Sequence, residues 1–166
     1  MMRVFKNRRR RILAALNLLV ALGIFSASQF ALAQSQRDKA VIDNFIARQM
    51  RRESATEYKE ARSIVRGDLN NDGDKDVVVL YTLENLGGTN QYVQYVAVFI
   101  NRRRRLLYVT HQLVGGKNRR AIDSVSIKER KINMQTEEYL PTDASCCPSK
   151  KGKVSFMLSR GKLKEV

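Results

Sequence analysis

"DVVVLYTL", residues 76–83, is apolar at both odd and even positions over its central part. Successive side chains of a β-strand point to opposite faces, so a strand of this composition must be covered on both sides. The stretch therefore predicts a central strand from Asp76 to Leu83, and the rest of the chain has to supply two layers of cover. One layer is a helix. From Ser35 to about Arg52, Val41, Ile42, Phe45, Ile46 and Met50 recur at helical spacing, and Asp38, Lys39, Asp43, Arg48, Arg51 and Arg52 occupy the rest of the wheel.

The remaining segments read as strands: Tyr58 to Arg66 ending at Gly67, Gln91 to Ile100, Leu106 to Leu113, Ala121 to Lys128, Lys131 to Tyr139 and Lys153 to Leu158. Gly87 to Asn90, Asn101 to Arg105, Gly115 to Asn118 and Glu129-Arg130 are short, and rich in turn formers or charge. Such links predict hairpins, because a parallel crossover needs a dozen residues or more. The expectation is an α+β fold, an N-terminal helix packed on a meandering antiparallel sheet of about six or seven strands. A small β-barrel or sandwich with the one helix closing an end is the alternative.

Before this domain, Met1 to Arg11 carries six basic residues and no acid, and Ile12 to Phe25 is nearly all apolar. Ala31-Leu32-Ala33 before Gln34 has the small-x-small pattern of a cleavage site. Residues 1–33 thus read as a secretory signal peptide, with an uncleaved anchor as the alternative. The apolar stretch is shorter than the roughly 20 residues that span a bilayer. Residues 34–166 are expected as a single α+β domain, periplasmic or extracellular, with no transmembrane segment. They keep 25 of the 31 basic residues and all 16 acids, 25 − 16 = +9. That sign favours an anionic envelope surface or an acidic protein as partner, and export argues against nucleic acid.

Between the first two strands lies "DLNNDGDKD", residues 68–76. With Asp68 as position 1, side-chain oxygens fall at positions 1, 3, 5 and 9 (Asp68, Asn70, Asp72, Asp76), with Gly73 at 6 and Asp74 at 7, where its backbone carbonyl would serve. Alternate oxygens on a tightly curled loop suit calcium, which takes six to eight hard ligands. It is not an EF-hand, since position 12 is Leu80 rather than a bidentate Glu. The spacing followed by a strand resembles the calcium loops of FG-GAP and VCBS-type repeats. The resemblance covers Gly67 to Val79 and occurs once, so it implies a structural Ca2+ held by Asp68, Asn70, Asp72, Asp74 and Asp76, and no propeller. A loop held by Asx-turn hydrogen bonds without metal is the plainer reading.

Cys146 and Cys147 are the only cysteines and are adjacent. In an oxidising compartment they read as a vicinal disulfide, although neighbouring Cα atoms are 3.80 Å apart, closer than ordinary disulfides allow. Two packed thiols, or a soft-metal or redox pair, are the other readings. Cys146-Cys-Pro-Ser149, with Leu80 to Glu84 and Gln91 to Phe99, is similar to a group of small exported bacterial proteins without an assigned activity. Arg102, Arg103, Arg104 and Arg105 form a charged hairpin tip that either is merely solvated or binds phosphate-bearing anions.

No nucleophile elbow, Gly-rich phosphate loop or His-based metal motif is present, and His111 is the single histidine. The two glycine pairs, Gly87-Gly88 and Gly115-Gly116, read as turns rather than anion nests. The expected function is a calcium-stabilised binding or accessory domain without catalytic activity. A periplasmic thiol or metal protein using Cys146 and Cys147 is one alternative, and a structural envelope component another.

Overall fold

Helix α1 spans residues 32–53 and is followed by eight strands: β1 (Thr56–Gly67), β2 (Asp76–Glu84), β3 (Tyr92–Arg102), β4 (Arg105–Gly116), β5 (Ala121–Lys128), β6 (Lys131–Glu138), β7 (Lys150–Ser159) and β8 (Lys162–Glu165). These come from a computed structural model, which describes residues 29, 32–144 and 147–166. The signal-peptide expectation for residues 1–33 lies outside the described residues apart from Gln29, Leu32 and Ala33. Among the described residues no helix is long and apolar enough to cross a membrane. Residues 1–40 and 41–166 are separate compact units. In the first, Gln34 Nε2 donates to Asp38 Oδ1 at 2.7 Å.

The second unit is α+β, with every strand pair antiparallel. Its strands form two sheets, β1-β2-β3-β4 and β5-β6-β7-β8, where one meandering sheet of six or seven strands was expected. The apolar run of β2 is indeed covered on both sides. Val77, Val79, Tyr81 and Leu83 pack with Ala97 and Phe99 against Ile42, Phe45 and Ile46 of α1. Val78 and Leu80 pack with Val96 and Val98 against Ile122, Ile132, Met134, Val154 and Phe156 of the second sheet. Both clusters draw on residues 41–166 alone, so this unit closes its own cores. The strand missing from the sequence reading is β8, four residues long with only Leu163 apolar.

Three connections are tight two-residue turns. Arg103 and Arg104 (φ 52° and 62°), Glu129 and Arg130 (53° and 60°), and Arg160 and Gly161 (50° and 73°) all occupy left-handed backbone. Positive φ at both central residues is what a type I′ hairpin turn requires. Gly115 to Asn118 departs from expectation. It carries the chain from β4 in one sheet to β5 in the other, and so is not a hairpin. Buried Gln94 clamps this crossing, its Oε1 accepting from Ile122 N at 2.8 Å and its Nε2 donating to Ile122 O at 3.1 Å.

β1 bulges where Tyr58 faces Thr82 but Ser63 already faces Leu80. Arg62 in this bulge donates to Glu57 through Nε (2.7 Å) and Nη2 (2.6 Å), and to Asp43 of α1 through Nη1 (2.5 Å). Opposite the bulge, Tyr81 is fully buried, and its hydroxyl has no hydrogen-bond partner. Burial pushes its pKa far above the ordinary phenol value. Because an unpaired buried hydroxyl costs roughly 1–3 kcal/mol, Tyr81→Phe is expected to raise the melting temperature by a few degrees. A drop on differential scanning calorimetry would show that the hydroxyl contributes to stability after all.

Candidate functional site

The loop of residues 68–76 is built by its own side chains. Asp68 Oδ1 accepts from the backbone N–H of Asn70 (3.2 Å) and Asn71 (2.6 Å), and Asp68 Oδ2 from that of Gly73 (3.0 Å). Asn70 Oδ1 accepts from Asp72 N at 3.0 Å, and Asp72 Oδ1 from Asp74 N at 2.9 Å. This is a chain of Asx turns, which explains why Asp and Asn alternate here. Asn71 (φ 66°) and Gly73 (φ 84°) take the left-handed conformations that let the loop curl. Desolvation raises the Asp68 pKa, but the amides of Gly73, Asn71 and Asn70 outweigh it and hold the carboxyl below its usual range.

Asp76 differs from the other four residues named as ligands. It is fully buried, and its two oxygens accept from Leu69 N and from Asn101 N, each at 2.9 Å. Burial is the main cause that lifts its pKa above the usual carboxylate value; those amides oppose it, while the nearby charges of Asp72 and Asp68 add to it. Asp68 is half-buried, whereas Asn70, Asp72 and Asp74 are exposed. Leu69 turns inward and is 5 % exposed. Among the described residues no three His, Cys, Asp or Glu side chains converge as a ready-made metal set. Asp68 Oδ1 already accepts from two amides, whereas Asp68 Oδ2, Asn70 Oδ1, Asp72 Oδ1 and both Asp76 oxygens, each turned onto one amide, retain a second lone pair.

The contact from Asn101 N to Asp76 joins the loop to the end of β3, immediately before the arginine turn. Arg102 pairs with Arg105 across that hairpin, so the acidic loop and Arg102 to Arg105 occupy the same end of the first sheet. No sequence signal relates these segments, which lie some 30 residues apart. Asn101 also carries an oxygen, Oδ1, that is shielded from solvent and has no hydrogen-bond partner.

Cys147 is disulfide-bonded, and its N–H donates to Ala144 O at 3.0 Å. Cys146, on which the expected vicinal pairing also falls, lies outside the described residues. Asp143 organises this loop by accepting from Leu140 N (2.8 Å), Ser149 N (3.0 Å) and Ser149 Oγ (2.8 Å). Hydrogen bonds from Leu140 and then from the Ser149 side chain hold the Asp143 carboxyl below its usual range.

His111 lies on the helix-facing side of β4. Its ring is 5.6 Å from that of Phe45 and 5.6 Å from that of Tyr95, and its Nδ1 shares a hydrogen bond with Tyr108 Oη at 2.7 Å. Desolvation and then Arg52 lower its pKa, against a smaller upward pull from Glu53. The fold therefore resists protonation that the unfolded chain accepts. Stability is fully present above the unfolded value of about 6.5 and is lost as pH falls through it toward the lower folded value. The loss of melting temperature between pH 7.5 and pH 5 is expected to shrink in His111→Gln; an equal loss in both proteins would remove His111 as its cause.

A polar cleft of about 490 Å³ lies at the β4–β5 crossing, with Gln112, Asn118, Arg119, Tyr139 and Glu138 among its walls. Arg120 forms its structural strut, donating to Val114 O at 2.9 Å and to both oxygens of Glu165 (3.3 and 3.1 Å). Sequence reasoning missed this feature because the crossing looked like a hairpin.

Comparison of the chain with protein-family models, with curated proteins and with solved structures yields no match.

Proposed function

We propose that the protein is an exported, calcium-stabilised binding or accessory domain without catalytic activity, and that its basic surface faces an anionic partner. The observation that carries this reading is the loop of residues 68–76, whose alternating oxygens accept from the loop's own amides at the β1–β2 junction, beside buried Asp76. The donor set fits calcium. All its atoms are hard oxygens, and the buried carboxylate of Asp76, its pKa raised among like charges, gains most from a nearby cation. The orphaned Asn101 Oδ1 is a further oxygen beside that carboxylate's amide partner. Asp68, Asn70 and Asp72 would hold the ion through side chains, with Asp74 contributing backbone and Asp76 the buried charge. Residues 1–33 support export, and net charge +9 over residues 34–166 (25 − 16) supports an anionic partner.

The test is a thermal melt of residues 34–166, stripped of metal and then supplied with calcium or magnesium. Calcium should raise the midpoint by several degrees and magnesium much less, since a ligand at about 100 times its Kd adds roughly 2.7 kcal/mol. No shift up to about millimolar calcium would reduce the loop to a chain of Asx turns.

A further inference from the structure

Three hairpin tips of this chain, formed by strands from both sheets, meet at one end of the second unit. Gly67, which closes β1, lies so near the second sheet that a methyl on it would stand 2.6 Å from Ile127 Cγ2, two residues before the Glu129-Arg130 turn. The Arg160-Gly161 turn lies against Val109 of β4, with 3.9 Å between a Gly161 methyl and Val109 Cγ1. The Arg103-Arg104 turn heads the same β4. Four exposed arginines, Arg103, Arg104, Arg130 and Arg160, therefore crown one end, and among the described residues none has an ion pair or hydrogen bond.

All four also sit in left-handed backbone, at φ 50° to 62°. Asn and Gly take these turn positions readily, whereas a side chain such as Arg meets steric strain there. Strained positions that recur at one place point to a use for the side chain. We propose that this end docks on the phosphate headgroups of an anionic lipid bilayer, which rests on the reading of an anionic partner given above and identifies its surface and class. The layout favours a plane over a line. Two tips belong to the second sheet, about 10 Å apart across two strand spacings, and the third belongs to the facing sheet, about 13 Å along β4 from the level of Val109. Guanidinium is the cation that meets phosphate bidentately. The loop carboxylates Asp68, Asp72 and Asp74, with Glu129, are the opposing charges at this end.

The test uses residues 34–166, which contain both cores, on vesicles of phosphatidylglycerol mixed with phosphatidylcholine and on phosphatidylcholine alone. The variant R103N/R104G/R130G/R160N places turn-favoured residues at the tips, so its melting temperature should not fall. A control, K117S/R119S/K150S/K151S, removes the same charge from the opposite end, where Glu138 pairs with Lys150 and Lys117 N meets Tyr92 O. Wild type and control should bind anionic vesicles, with calcium or with chelator, and the tip variant should bind about six hundredfold more weakly, at roughly fivefold for each of its four charges. Equal losses in both variants would overturn the proposal in favour of general net charge. Tip-dependent binding to soluble dextran sulfate without vesicle binding would assign the end to linear polyanions instead. Binding to neither probe would remove the anionic partner itself.

Discussion

Arg62→Ala is expected to destabilise the protein by about 3–5 kcal/mol, because it leaves a buried carboxylate without its partner. The Glu57 side chain is only 2 % exposed and receives two of the three hydrogen bonds of Arg62; the third reaches Asp43 on α1. Hydrogen bonding to Glu57 is the largest cause raising the Arg62 pKa, against desolvation, so the guanidinium stays charged at any working pH. The loss corresponds to roughly 10–20 °C in melting temperature for a domain of this size. Urea titration at pH 7 gives the free energy directly. Arg62→Met combined with Glu57→Leu should recover most of it, since the uncompensated charge is then gone. If the single variant melts within a degree or two of wild type, the bulge of β1 holds α1 by apolar packing alone.

Asp76→Ala is the second large effect. The carboxylate accepts from Leu69 N and Asn101 N, and each unsatisfied buried donor costs roughly 1–3 kcal/mol. The loss should appear with and without calcium, because the bonds are made by the protein itself. Asp72→Ala makes a useful contrast. Asp72 is exposed and accepts from Asp74 N and from Asn70 Nδ2, so its removal should cost little in chelator and should abolish much of the calcium-induced rise. Calorimetry of both variants, with and without calcium, separates the pin from the proposed ligand. A calcium rise undiminished in Asp72→Ala would take that residue out of the ligand set.

The strands were legible where their own side chains forced the answer. Val77 to Leu83 is apolar at both parities, and the structure covers both faces. Ile42, Phe45 and Ile46 recur at helical spacing and are each 1 % exposed. β8 was not legible, because Lys162 to Glu165 offers one apolar residue and its place depends on pairing with β7. The Gly115 to Asn118 turn has the composition of a hairpin, but β4 and β5 pair in different sheets, and the clamp between Gln94 and Ile122 fixes the crossing between them.

By itself the sequence determined the α+β class, most strand positions, the charge and the local order of the acidic loop, since periodicity, turn chemistry and Asx spacing act within a few residues. Tertiary structure alone decided that the strands divide into two sheets, because a strand apolar on both faces requires cover without specifying its source. It also placed the acidic loop and three arginine-bearing turns at one end. That meeting depends on the β3–β4, β5–β6 and β7–β8 hairpins all closing on the same side, a consequence of topology that no short stretch of chain encodes.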